Sequence, residues 1–195
     1  MDDENFWALM DELSSRPGGR HERLEWLRGK LRDGTAAEAV EFQARLEAAC
    51  AAVATDPLWR AVRRIEGGLC SDDGFDYFAL WLVAQGRRTY QAVLSDPDAL
   101  ADVAEVRALS GRHLREWHDD EWPEWEELDY VAQEAFAELT GQGDDGDDSE
   151  EEFHESLDAV QEAWAEPEGE TDTVEAAVRA GTPRLDALFP VEAGS

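Results

Sequence analysis

Apolar residues recur along this chain at helical spacing almost throughout. Phe6, Leu9, Met10 and Leu13 mark a first helix, ended by Arg16-Pro17-Gly18-Gly19. Leu24, Leu27 and Leu31 mark a second, stopped at Gly34. Thr35 is placed to cap a third, with Glu38 completing a capping-box pattern ahead of the stripe Phe42, Leu46, Ala49 and Val53. Asp56-Pro57 opens a short helix carrying Trp59, Val62 and Ile65, with proline in the tolerated first turn. Gly67-Gly68 ends it.

The most apolar stretch follows. Phe75, Tyr77, Phe78, Leu80, Trp81, Leu82 and Val83 occupy most faces of a helix over residues 75–85, which predicts a buried central element broken at Gly86. Thr89 to Leu94 gives a further turn or two, and Asp96-Pro97 starts another short helix. From Trp125 to Leu139 the stripe Leu128, Val131, Ala132, Ala135, Phe136 and Leu139 predicts an amphipathic helix, closed by Thr140-Gly141. Helical spacing returns at Phe153, Leu157, Val160 and Trp164, and weakly between Val174 and Phe189. No strand alternation or internal repeat is visible. The expected fold is all-α, an irregular multi-helix bundle. The expected organisation is a helical core over 1–141, an acidic flexible insertion over 142–152, and an acidic helical extension over 153–195 packed on that core.

Charge changes the picture. Between Glu116 and Val178 the chain has 25 Asp and Glu residues and no Lys or Arg, whereas its first 115 residues carry 20 acids against 15 bases. The formal charge is −30. Such a surface repels phosphate backbones and attracts cations or basic proteins, so direct nucleic-acid binding is not expected. No apolar run is long enough to span a membrane, and the acidic start Met-Asp-Asp-Glu-Asn lacks the positive charge of a secretory leader. A cytoplasmic protein is expected. Cys50 and Cys70 form no Cys-x-x-Cys pair and are expected to be reduced, Cys50 buried on its helix. Arginine supplies 16 of the 17 basic residues, which we read as GC-rich genomic bias.

The most distinctive local pattern is Gly67-Gly68-Leu69-Cys70-Ser71-Asp72-Asp73-Gly74-Phe75-Asp76-Tyr77-Phe78, followed by Trp81 and Gln85-Gly86. One reading is a helix start, with a Ser or Asp cap and acids at the positive end of the dipole. Another places Asp72, Asp73 and Asp76 around a divalent cation such as Mg²⁺, or makes Cys70 and Ser71 a nucleophile.

These residues carry a family resemblance. The Cys-Ser-Asp-Asp-Gly-Phe-Asp-Tyr-Phe run, the Trp-Leu-Val-Ala-Gln-Gly after it, and Asn5-Phe6-Trp7 resemble the bacterial domain-of-unknown-function family 4240. Leu128-Asp129-Tyr130-Val131-Ala132 with Glu134-Ala135 resembles its second, weaker hallmark. The likeness spans roughly residues 1 to 140, departs by the extra Leu69, and implies no activity. Similar proteins occur widely in actinobacteria, in keeping with the arginine bias. The ligand-binding set suggested by the two hallmarks is Cys70, Ser71, Asp72, Asp73, Asp76, Gln85, Tyr130 and Glu134.

Other candidates are weaker. His113 and His118 are five apart, about 140° around a helix, and read as solvated surface rather than metal ligands. Residues 144–152 share only composition with a calcium loop, because Glu150 falls where glycine must be and Ser156 where the bidentate Glu must be. Loose Mg²⁺ or Ca²⁺ binding is the most that composition allows, and no cofactor is expected. Trp117, Trp122 and Trp125 sit inside the acidic block, along with Trp164. They either pin that block to the core or serve as anchors for an arginine-rich partner. The leading expectation is therefore an acidic interaction protein, immunity- or antitoxin-like or a nucleic-acid mimic, engaging a basic partner rather than catalysing a reaction. The alternative is a small enzyme or ligand-binding domain with a carboxylate site at Cys70–Asp76. Nothing in the pattern bears on oligomeric state.

Overall fold

The computed structural model describes residues 1–141, 146–164 and 181–190, the side chains of 146–148 excepted. The described residues are helical, with no strand among them. Ten α-helices follow in order: α1 (Asp3–Ser15), α2 (Arg20–Arg32), α3 (Ala36–Val53), α4 (Asp56–Ile65), α5 (Asp72–Ala84), α6 (Arg87–Ser95), α7 (Ala104–Leu109), α8 (Val131–Thr140), α9 (Gly146–Trp164) and α10 (Pro183–Leu188). Short 3-10 segments join several of them, the longest at Pro97–Asp102.

The chain divides into two compact units. One comprises Met1–Ala49 and Glu126–Val174, the other Cys50–Trp125 and Glu175–Ser195.

In the first unit, Phe6, Met10 and Leu13 of α1 join Phe42 and Leu46 of α3 in a buried apolar set, with the Phe6 and Phe42 rings 5.4 Å apart. Helix α2 packs along α8, and α8 along α9, where Phe136 meets Phe153 edge-on at 5.4 Å. The α3 start is the expected capping box. Thr35 Oγ1 accepts the Glu38 N–H, while the Glu38 carboxylate accepts the Thr35 N–H at 2.9 Å.

In the second unit, α5 is the central element. Phe75 and every residue from Phe78 to Ala84 are buried. Its aromatic side continues as Trp59, Phe75, Phe78 and Trp81, with successive centroids 4.5, 5.9 and 5.5 Å apart. Gly86 ends the run at φ 85°, a left-handed conformation that favours glycine. The Asp98 carboxylate fixes α10 by accepting the backbone N–H groups of Arg184 and Leu185 at 3.0 and 2.9 Å.

Three expectations are corrected. The helix expected from Trp125 begins at Val131, preceded by a 3-10 turn at Glu126–Leu128. The Trp125 N–H donates to the Tyr77 carbonyl at 3.0 Å and its ring is buried, so its backbone belongs to the α5 packing rather than to a helical ladder. The stretch expected as a loop to Glu152 is helical from Gly146, because Phe153 and Leu157 find a buried seat and draw the preceding turns into α9; residues 142–145 lie outside the described set, as do 165–180 of the expected C-terminal extension. Cys50 is half-buried, not buried.

Candidate functional sites

The Cys70–Asp76 turn is a helix start. Ser71 is the N-cap of α5, its hydroxyl accepting the Gly74 N–H at 3.1 Å. Asp72 and Asp73 stand in the first turn, and they and Asp76 are solvent-exposed. Carboxylates there favour the positive end of the helix dipole. Leu69 is exposed. Gln85 stands at the other end of α5. Its amide donates to the Glu105 carboxylate at 3.3 Å, beside the 2.7 Å hydrogen bond from the Trp81 indole. Tyr130 and Glu134 belong to the first unit. Tyr130 is exposed at the head of α8 with its hydroxyl 3.5 Å from Glu126, and Glu134 pairs with Arg28 at 3.2 Å. The Glu126 charge, with some burial and Asp129, raises the Tyr130 pKa.

Chemistry near this turn lies in residues that sequence reasoning missed. Glu66 is 1 % exposed, and its buried Oε1 has no hydrogen-bond partner among the described residues. Burial first, then the charge of Glu124, pushes its carboxyl up to about 7 against the counter-pull of a hydrogen bond with Cys70. Burial and the same two carboxylates push the Cys70 thiol up to about 12, opposite to what a nucleophile requires. Among the described residues no group of three or more His, Cys, Asp or Glu side chains is placed to hold a metal ion.

An unexpected cleft of about 870 Å³ opens in the second unit. Its walls include Arg60, Arg63 and Arg64 from α4, the Gly67-Gly68 turn, and Gly111 to Leu114 with Trp117. Leu188, Phe189 and Pro190 complete it. Arg64 pairs with Asp186 at 2.7 Å. Arg112 grips Glu121 through two hydrogen bonds of 2.6 and 2.7 Å, which with the His118 N–H pulls the Glu121 carboxyl down to about 2. Arg63 donates to the Gly68 carbonyl at 3.2 Å, and neither it nor Arg60 pairs with a carboxylate among the described residues. The signal was present as Arg-Ala-Val-Arg-Arg, whose i, i+3, i+4 spacing gathers three guanidinium groups on one helix face.

The acidic block is distributed unevenly. On α8, Glu134 and Glu138 are engaged by Arg28 and Arg32 of α2, the latter pair at 2.9 Å. This shrinks the anionic face expected from composition. Helix α9 contains no Lys or Arg, and Glu150, Glu151, Glu152, Glu155, Asp158 and Glu162 are all exposed on it. Glu151, Glu155, Asp158 and Glu162 fall at i, i+4, i+7 and i+11, forming one stripe opposite the buried Phe153 and Leu157. Trp164 is half-exposed at the end of α9 beneath the Arg45 guanidinium, 4.0 Å from its ring centroid. Trp117 and Trp125 are buried and Trp122 is half-buried, its ring 4.8 Å from Trp117. Two of the three suggested anchors therefore serve packing.

The family model described as "Protein of unknown function (DUF4240)" matches residues 1–138. No curated protein and no solved structure matches the chain.

Proposed function

We propose that this chain, which belongs to the DUF4240 family, is an acidic binding protein that engages a basic partner through α9. The observation that carries the reading is the stripe Glu151, Glu155, Asp158 and Glu162, exposed on a helix without a single Lys or Arg. A helix surface that serves solvation alone gains from alternating signs. Like charges at i, i+4 cost about 0.2–0.5 kcal/mol per pair. A stripe of one sign gives up that stability and gains a concentrated field that speeds encounter with a cationic surface. The exposed Trp164, already carrying one guanidinium, supports a partner rich in arginine. Immunity- or antitoxin-like neutralisation of a basic toxin and mimicry of a nucleic acid are the concrete versions.

A cytoplasmic setting fits Cys50 and Cys70 as free thiols. Among the described residues no helix is long and apolar enough to cross a membrane. The test is association with an arginine-rich peptide as a function of salt, in the full chain and in an E151Q/E155Q/D158N/E162Q variant. Binding that weakens with salt and with the substitutions supports the proposal. Binding indifferent to both removes it.

A further inference from the structure

The cleft of the second unit carries an inference independent of α9. Its lining holds four arginines in a protein of formal charge −30, and among the described residues no carboxylate lines it. Asp186 and Glu121, lying outside that lining, neutralise Arg64 and Arg112. Arg60 and Arg63 are left with their charges uncancelled among the described residues. A third feature points to a ligand. Trp117 lines the cleft, is 7 % exposed, and its buried indole N–H has no hydrogen-bond partner among the described residues. An orphaned buried donor destabilises the fold unless something accepts from it. The remaining wall is apolar, through Leu114, Leu188 and Phe189.

We propose that this cleft binds a small phosphomonoester, its phosphate between Arg60 and Arg63 and its apolar body against Leu114 and Phe189. The charges match. A phosphomonoester carries about −1.5 to −2 at pH 7, enough to offset two guanidinium charges that no carboxylate pairs with among the described residues. Its oxygens suit the planar fork of arginine and supply an acceptor for the Trp117 indole. The size matches too, since small-molecule sites run to about 300–1,000 Å³. Scale argues against a nucleic acid. An extended polyanion would meet the repulsion of the entire surface, whereas a single phosphate feels chiefly charges within the Debye length of about 8 Å at physiological salt. Gly67, Gly68 and Gly111, all at positive φ, form tight turns around the cleft, and a side chain at Gly67 would press on Leu114.

The experiment is calorimetric titration of the full chain with phenyl phosphate at physiological salt, beside inorganic phosphate, benzoate and phenol. One-site binding of phenyl phosphate is expected, tighter than phosphate or benzoate, with phenol silent. R60Q/R63Q should weaken it about tenfold or more, equivalent to about 1.4 kcal/mol, while R88Q on the exposed face of α6 leaves it unchanged. Nitrogen–proton spectra of the unaltered protein give a second readout that needs no variant. The Trp117 indole and the Arg60 and Arg63 Nε–H resonances should shift on titration. Equal binding of benzoate, undiminished binding in R60Q/R63Q, or an unmoved Trp117 indole signal would each overturn the assignment.

Discussion

Asp98 holds Arg184 from both ends. Its carboxylate, 5 % exposed, accepts the Arg184 backbone N–H at 3.0 Å and the guanidinium Nε–H at 3.1 Å, and the neighbouring Leu185 N–H at 2.9 Å. The Arg184 Nη2 returns to the Asp98 carbonyl at 2.8 Å, and Nη1 reaches Asp102 at 2.7 Å. Burial pushes the Asp98 carboxyl up, but these donors outweigh it and lower its pKa. A short helix of six residues, too brief to be stable alone, is thereby fixed beside the 3-10 segment Pro97–Asp102.

Asp98→Ala should therefore release α10 while leaving the helices of the first unit intact. The expected cost is about 2–4 kcal/mol, since two backbone N–H groups and a guanidinium lose a buried partner together. Amide exchange checks it: Arg184 and Leu185 should lose protection in the variant. Continued protection of both amides would contradict the account.

Glu66 predicts a pH dependence of opposite sign to that of Asp98. Its folded pKa of about 7 lies above the ordinary 4.5, so the native state binds the proton more tightly than the unfolded chain does. The stability this proton contributes is full below about pH 4.5 and is lost as pH rises toward 7. The loss is on the order of 3 kcal/mol at most. Denaturant titrations of Glu66→Gln against the unaltered protein should show the variant gaining relative stability across that window, then a constant advantage above it. A difference that does not change with pH would contradict the assignment.

The turn before α5 separates capping from ligand binding. Ser71→Ala should cost about 1 kcal/mol by removing the acceptor for the Gly74 N–H. Asp72→Asn with Asp73→Asn should cost less, a few tenths to about 1 kcal/mol each, through the helix dipole alone. Thermal melts with and without added Mg²⁺ check both. A Mg²⁺-dependent stabilisation abolished by the Asn pair would revive the carboxylate-site reading.

Local features of this fold were legible in the sequence and distant ones were not. The Thr35–Glu38 capping box, the Gly86 break and the buried centre of α5 depend on neighbours within a few positions, where periodicity and capping chemistry speak directly. The arginine pairs with Glu134 and Glu138 join α2 to α8 across about a hundred residues, which no spacing rule reaches. Glu66 reads as an ordinary helix-terminal acid, and its burial beside Glu124 becomes visible only once α4 and the segment before Trp125 are brought together. The start of α8 was misplaced for the same reason. The bond from Trp125 to Tyr77 spans 48 positions and overrides a local helical pattern. The cleft was half legible, since the three arginines of α4 share a face in sequence while Arg112 and Trp117 come from a remote turn.

The single-signed stripe on α9 can be probed by stopped-flow association with an arginine-rich peptide across ionic strength. The association rate should fall about tenfold or more as the Debye length shrinks from about 10 Å to about 3 Å. E151Q/E155Q/D158N/E162Q should flatten that dependence while leaving α9 helical. An association rate that ignores salt, or a salt dependence that survives the loss of all four charges, would contradict the proposed attraction to a basic partner.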